Sequence, residues 1–212
     1  FTGTESLLYS NNSPDDLDQV FFHLYFNAFQ PGSMMDVRSR AIMDPDPRVG
    51  ERISKLKKKE VGRSTVEELS FDGQPCSFEQ KGSILQVHLP RTLKAGESGN
   101  FKMKFSGQVP VQIRRSGRDN EEGIRYSMSQ WYPKISEYDH MGWHANPYIG
   151  REFHGVWGDF DVRITLDKEY IVAATGVLQN KQEIGYGYTS TEVDHSRDKT
   201  LTWHFRAENV HD

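Results

Sequence analysis

The length, composition and charge of the chain exclude several classes of protein. It has 212 residues, enough to bury a sizeable core, and all-β architectures of this length commonly form one domain. A formal net charge of -4 gives no overall attraction to nucleic acid or anionic lipid, which both reward clustered Lys and Arg. No apolar run approaches the roughly 20 residues that span a bilayer. We therefore predict a single domain over residues 1–212, with no nucleic-acid partner and no membrane-spanning segment.

The cysteine content and the first residue bear on compartment and processing. Cys76 is the only cysteine, which excludes an internal disulfide and any multi-cysteine metal site. It leaves the redox compartment open, because exported proteins can also lack disulfides. The sequence starts at Phe1 with no methionine and no basic and apolar leader, so we expect an excised fragment or a processed product.

Apolar patterning along the chain predicts β-strands. The first run, Val20–Phe26, is apolar at nearly every position, as in a strand buried on both faces. Later runs alternate apolar and polar residues with a period of two, as in half-buried strands. Their apolar positions are Leu85, Val87 and Leu89; Phe101, Met103 and Phe105; Phe160, Val162, Ile164 and Leu166; and Leu201, Trp203 and Phe205. Turn residues separate the runs at short intervals, so we predict an all-β fold of mainly antiparallel, sandwich-like sheets.

One segment departs from this pattern. Val49, Ile53 and Leu56 are spaced at i, i+4 and i+7, which predicts about three turns of a short surface helix near residues 48–59. We interpret the run Lys57–Lys59 as a solvated helix end that complements the helix dipole, rather than as a basic patch for a partner.

The eight histidines raise the question of a metal site. His140 and His144 have the separation of a zinc-binding pair on a helix, and His154 follows. However, Gly142 and Pro147 indicate a loop, and no Glu follows His140, so the general base of an HExxH peptidase is missing. We therefore predict no metal ligand in this chain and adventitious or structural roles for these histidines.

Other catalytic arrangements are also missing from the sequence. It contains no G-x-S-x-G elbow and no glycine-rich phosphate loop, and Cys76 has no neighbouring His to activate it. Paired carboxylates such as Glu67 and Glu68 would point to opposite faces of a strand, which does not suit joint acid–base work. We predict no catalytic residue, so the chain alone would not be an enzyme.

Large aromatic residues cluster between positions 131 and 157. They are Trp131, Tyr132, Tyr138, Trp143, Tyr148 and Trp157. One hypothesis is a stacking platform for sugar rings, as in a carbohydrate-binding module. The alternative is that the rings pack a long loop onto the sheets, with each N–H or O–H finding a partner. The many glycines and prolines among the rings favour the packed loop.

Short motifs follow one another in a distinctive order along nearly the whole chain. They are YSNNSPD at 9–15, FHLY at 22–25, GERI at 50–53, QWYPK at 130–134, GDFDV at 158–162, ATGVLQN at 174–180 and WHFRAENVHD at 203–212. This order resembles the amino-terminal β domain of the aminopeptidase N family of zinc metallopeptidases, in its bacterial branch. The resemblance implies a saddle-like assembly of β-sheets.

The resemblance also implies partners and one site residue. In the family, this domain rests on a thermolysin-like catalytic domain of the same polypeptide, which holds the zinc and is absent from this chain. The parent would thus be a zinc aminopeptidase acting on peptides, with no cofactor in the present chain. A Gln or Glu near the end of a strand binds the peptide's amino terminus; Gln130 is the matching position, with Ser129 and Trp131 as alternatives. The parent's location is not fixed, with a periplasmic or extracellular one slightly favoured.

Three hypotheses of different classes follow. The leading one is a non-catalytic domain that forms one wall of an aminopeptidase cleft. The second is a free-standing β-sandwich binding module for glycan or protein, which would need two or three open, coplanar aromatic faces. The third is a histidine-based metalloenzyme, which metal analysis would decide. A fold alone does not select among them.

Overall fold

The computed structural model describes residues 1–42, 47–150 and 155–211. In chain order the strands are β1 (Thr2–Ser10), β2 (Leu17–His23), β3 (Arg63–Phe71), β4 (Gln74–Pro75), β5 (Ser77–Lys81), β6 (Ile84–Leu93), β7 (Ser98–Gln108), β8 (Gly117–Arg118), β9 (Tyr126–Ser127), β10 (Lys134–Ile135), β11 (Tyr138–Asp139), β12 (Gly142–Trp143), β13 (Gly158–Asp167), β14 (Val177–Leu178) and β15 (Thr200–Val210). The α-helices are α1 (Met34–Ala41) and α2 (Lys181–Ile184), and 3-10 turns cover Tyr25–Ala28 and Ile53–Lys55. The fold is all-β, as predicted.

The described residues form two compact units. The first covers Phe1–Gly155 and the second covers Val156–Asp212. The single domain expected over residues 1–212 stays a prediction.

Two four-stranded antiparallel sheets build the first unit. Sheet 1 has the order β1-β7-β3-β4, and sheet 2 has the order β10-β2-β6-β5. The alternation predicted for β7 is confirmed, because Phe101, Met103 and Phe105 are buried while the lysines between them are exposed. The ring of Phe101 lies 5.7 Å from that of Phe22 in sheet 2. The apolar faces of the two sheets therefore pack against each other, as in a sandwich.

The buried run Val20–Phe26 is only partly a strand. β2 ends at His23, and the chain then turns into the buried 3-10 turn Tyr25–Ala28. The Asn27 side chain explains the change, since its amide donates to the Ser64 carbonyl (3.0 Å) and its oxygen accepts from the Ser64 N–H (2.8 Å). The side chain thus replaces a strand partner where the ladder stops.

The prediction of an α-helix near residues 48–59 was wrong. Its apolar spacing does mark a buried side, since Val49 and Ile53 are fully buried, but the backbone forms turns and the single 3-10 turn Ile53–Lys55. The N–H groups of Arg52, Lys55 and Leu56 donate to carbonyls three residues earlier rather than four. The Lys57 N–H, which an α-helix would direct to the Ile53 carbonyl, donates instead to the Glu60 side chain (2.8 Å). Distant donors then hold the turn that follows. Gln108 donates to the Lys58 carbonyl (3.0 Å), and Arg118 donates to that of Lys59 (2.6 Å).

A helix that we did not predict lies earlier, at α1. Ser33 caps it by accepting from the Asp36 N–H (3.1 Å), and Asp36 accepts from the Gly32 N–H (2.8 Å) in return. The two bonds resemble a capping box, except that Asp36 accepts from the residue before the cap rather than from Ser33 itself. Met34 and Val37 are exposed, so the helix lacks the apolar stripe by which sequence patterns reveal helices.

No described helix is long and apolar enough to cross a bilayer.

The second unit is a three-stranded antiparallel sheet of order β13-β15-β14. Its core contains Leu178, Ile184, Leu201, Trp203 and Phe205. The predicted inward face of β15 is therefore confirmed, and Trp203 is 0% exposed. On β13 the predicted apolar face is half-buried along its whole length.

Truncation of Trp203 tests this register. We expect Trp203→Ala to lower the free energy of unfolding by about 3–5 kcal/mol, from lost transfer energy plus the cavity left behind. The indole Nε1 has no hydrogen-bond partner among the described residues, so Trp203→Phe should cost clearly less. Urea denaturation would measure both, with Trp157→Ala as control because Trp157 is 60% exposed. An unchanged midpoint for Trp203→Ala would contradict the register.

Candidate functional site

Gln130 lies in a bend shortly after the end of the two-residue strand β9. It follows β9 by three residues and precedes β10 by four. Its φ of +48° is in the left-handed region, which few residues other than Gly, Asn and Asp adopt, and it is 7% exposed. Ser116 holds the start of the bend, since its hydroxyl accepts from the Ser129 N–H (3.2 Å) and lies 3.1 Å from the Ser129 carbonyl.

Trp131 fixes the bend to sheet 1. Its ring lies 5.8 Å from Phe1 and 6.2 Å from Phe105, at angles typical of packed aromatic side chains. Gly3 leaves no room for a side chain there, because the Phe105 ring lies directly against its α-carbon. Trp131 is therefore a packing residue in this unit, and the bend that carries Gln130 rests on the edge strand β1.

Glu5 is a charged residue on the inward face of β1, and the sequence analysis missed it. The burial pattern of β1 places Gly3, Glu5, Leu7 and Tyr9 on the core side. One carboxyl oxygen of Glu5, Oε2, is inaccessible to solvent and has no hydrogen-bond partner among the described residues. Burial raises its pKa from 4.5 to about 8, so the carboxyl is largely protonated at neutral pH. The sequence does contain a signal that could have identified it: Glu5 occupies one of the alternating positions of β1 whose side chains point toward the core.

A run of further titratable side chains adjoins Glu5. Burial raises the pKa of the Tyr132 phenol, with contributions from Glu5 and Tyr25. Burial also raises the pKa of Tyr25, whose ring stacks on His23 at 4.9 Å and 10°. Burial lowers the pKa of His23 to about 4, with Lys134 contributing. Glu5, Tyr132, Tyr25, His23 and Lys134 thus lie within electrostatic range of their neighbours in this set, and we call them the buried polar cluster.

Lys134 ends the buried polar cluster on the short strand β10, opposite His23. The residue is 3% exposed, and burial lowers the pKa of its ammonium group to about 8, while Glu137 acts in the opposite direction. In every member of the cluster burial favours the uncharged form. Perturbed groups of this kind concentrate at functional sites, although structural networks produce them too.

His140 and His144 lie on a tight hairpin rather than a helix, as the sequence indicated. β11 and β12 pair directly, and Gly142 has a φ of +91° that suits the turn between them. His144 Nε2 lies 2.8 Å from Asp139, whereas His140 Nδ1 is 4.0 Å from the same carboxylate and 86% exposed. His154 lies outside the described residues. The described part of the chain holds no group of three or more His, Cys, Asp or Glu side chains arranged to bind a metal.

The aromatic residues of the first unit are mostly packed. Trp143 contacts Tyr138 (5.0 Å) and Phe21 (5.8 Å), and Tyr148 is buried edge-on against Tyr25 (5.5 Å). The Tyr138 hydroxyl donates to Asp15 (2.8 Å). These contacts use the ring faces that a sugar platform would present. They support the packed loop over the glycan-binding hypothesis.

An open polar groove of about 490 Å³ occurs in the second unit. Its histidines already have partners: His195 lies 2.9 Å from Asp198 and 2.8 Å from the Ile184 carbonyl, and His204 lies 3.0 Å from Asp161. These two rings are therefore already engaged within the second unit.

Zinc content tests the histidine hypothesis. After dialysis against a mild chelator we expect far less than one zinc per chain, because the described histidines lack a third ligand. Elemental analysis of the purified chain gives the answer. One tightly held zinc per chain would revive a metal centre that includes His154.

The burial of His23 predicts a pH dependence of stability. The folded-state pKa of about 4 lies below the ordinary 6.5, so the unfolded chain binds more protons between these values. The contribution of His23 to the free energy of unfolding should therefore fall as pH drops from about 6.5 to 4, superimposed on the opposite contribution of Glu5 between about 8 and 4.5, so it is read as a difference in slope between variants. His23→Gln should reduce this slope in urea denaturation, while His88→Gln, at an exposed position of the same sheet, should not. Equal slopes in both variants would contradict the assignment.

Comparison with known proteins bears on the fold. No protein-family model matches the chain, and no curated protein matches it. Among solved structures, an M1 zinc metallopeptidase from Deinococcus radiodurans is 20% identical with a TM-score of 0.50, over 97% of this chain and 34% of that chain. A two-domain M1 zinc metallopeptidase bound to L-tryptophan is 20% identical with a TM-score of 0.51, over 99% of this chain and 35% of that chain.

The match covers nearly all of this chain but only about a third of the length of the solved proteins. At this identity it establishes the fold. The chain therefore shares its fold with about a third of these M1 zinc metallopeptidases, as expected from its resemblance to the amino-terminal domain of the aminopeptidase N family.

Proposed function

We propose that this chain is the non-catalytic amino-terminal domain of a zinc-dependent aminopeptidase. It would form one wall of the active-site cleft, and Gln130 would help to bind the amino terminus of the peptide substrate. The parent polypeptide would contain a thermolysin-like catalytic domain with the zinc, whose role is to polarise water for attack on the peptide bond. The residues of the present chain contribute binding and orientation.

The observation that carries this proposal is the extent of the structural match. It spans 97–99% of this chain and 34–35% of the M1 zinc metallopeptidases, one of which is described as a two-domain protein. One domain of such a protein thus accounts for this chain.

The geometry around Gln130 supports a role in orienting a substrate. Trp131 anchors the bend to Phe1 and Phe105, and Ser116 holds the backbone at Ser129. The left-handed backbone at Gln130 then fixes the direction in which its side chain leaves the chain. An amide oxygen held in this way can accept a hydrogen bond from a peptide ammonium group with little loss of side-chain entropy on binding.

Substitution of Gln130 in the full-length parent tests the proposal. Gln130→Ala should lower kcat/KM about 10- to 150-fold, because losing a hydrogen bond to a charged group costs about 1.5–3 kcal/mol. Gln130→Gly should lose as much activity, although glycine relieves the positive φ of this position. Gln130→Glu should retain binding, since a carboxylate also accepts from an ammonium group. Kinetics with aminoacyl substrates measure all three.

Two controls separate catalysis from folding. Gln80→Ala, at an exposed position of β5, should leave kcat/KM unchanged. Zinc content and the denaturation midpoint of the Gly variant should match those of the wild type. Wild-type kinetics in both the Ala and the Gly variant would remove Gln130 from the site and leave the domain a structural wall.

A further inference from the structure

Glu5 and the Gln130 bend meet at the inward face of β1. Tyr132, two residues after Gln130, is the side chain on which Glu5 acts electrostatically. The intervening Trp131 packs on Phe1, at the start of the same strand. Trp131 also packs on Phe105, whose ring lies against Gly3 on the inward face of β1, two residues before Glu5. The bend therefore packs beside the half-buried Glu5, whose Oε2 is inaccessible to solvent and has no hydrogen-bond partner among the described residues.

The surroundings of Glu5 contain little that could stabilise a carboxylate. Its cross-strand neighbour is Met103, which is 3% exposed. The titratable groups beside it are the phenols of Tyr132 and, beyond that, Tyr25. The lysines of β7 lie on the opposite face, where Lys104 pairs with Glu68 at 2.9 Å. Desolvation alone accounts for the shift in the pKa of Glu5, without a contribution from a positive charge among the described residues.

We propose that Glu5 is a positioning residue whose uncharged carboxyl allows the segment Ser129–Tyr132 to stay seated on β1, and that ionisation of this carboxyl releases the segment. A buried carboxylate without a partner is costly, and local opening would return it to water. The segment is short and lies outside every strand and helix, and segments of this kind can open locally without unfolding the sheets.

Proton binding and opening of the segment are thermodynamically linked, and this linkage fixes the direction of the pH dependence and the pH range in which it occurs. The carboxyl has a pKa of about 8 in the seated state and its ordinary value of 4.5 once exposed to water, so the seated state holds more protons between these values. Opening therefore becomes more favourable as pH rises from about 4.5 to 8 and levels off above 8. For a single proton the opening constant rises at most about tenfold per pH unit inside this window.

Hydrogen exchange of the full chain, measured by mass spectrometry, tests the release directly. The probe is the peptide covering Ser129–Tyr132, with rates corrected for the intrinsic pH dependence of exchange. In the wild type we expect the opening constant to rise severalfold or more per pH unit between pH 5 and 8. Glu5→Gln, which mimics the protonated carboxyl, should make it flat, and so should Glu5→Met. Glu68→Gln, at an exposed position, should behave like the wild type.

Two outcomes of this experiment would overturn the inference. One is a flat opening constant in the wild type. The other is a pH-dependent opening constant that persists in both Glu5 variants. Because Glu5→Gln and Glu5→Met differ in polarity, a folding defect in one leaves the other to decide.

The consequence for activity rests on the proposed function. In the full-length parent, KM should rise with pH across the same window in the wild type and less in Glu5→Gln, because a released bend must be reordered before Gln130 can bind. If exchange responds as expected but Gln130 variants keep wild-type kinetics, the proposed function fails and the release stands. If Gln130 variants lose activity but the pH dependence of hydrogen exchange is the same in the Glu5 variants as in the wild type, the release fails and the proposed function stands.

Discussion

The contact between the two sheets of the first unit is the constraint on which its other features depend. Phe101 of sheet 1 lies within 5.7 Å of Phe22 in sheet 2 and within 4.7 Å of Phe71 on the neighbouring strand. Burying side chains of this size contributes about 1.5–3 kcal/mol each. The contact fixes the register of β7, and pairing with β7 then fixes which residues of β1 point inward. One of these inward residues is Glu5, which brings a carboxyl group into an apolar layer.

The buried polar cluster follows from this arrangement. A carboxyl, two phenols, an imidazole and an amine share one partly dry region, and burial shifts each toward its uncharged form. Uncharged groups can share such a region without the cost of a buried charge. Tyr132 and Lys134 follow Gln130 by two and four residues, so the stretch of chain that carries Gln130 also supplies two members of the cluster.

The sequence by itself determined the fold class, most of the strand faces and the likeness to a family. Period-2 alternation reports burial directly, because successive side chains of a strand point to opposite faces. For that reason the inward positions of β7 and β15, including Phe101 and Trp203, were predicted correctly. The hairpin at His140 was also predictable as a loop, since Gly142 supplies the positive φ of its turn. These signals are local, so no knowledge of distant residues is needed.

Only the tertiary structure decided the backbone of residues 48–59, the surroundings of Glu5 and the setting of Gln130. The helical spacing of Val49 and Ile53 marked a buried side, but distant donors from Gln108 and Arg118 bind the Lys58 and Lys59 carbonyls and hold this stretch as turns. The pKa of Glu5 depends on what covers β1, and the bend at Gln130 depends on Trp131 reaching Phe1. Each is set by partners far away in sequence, and local periodicity carries no information about such partners.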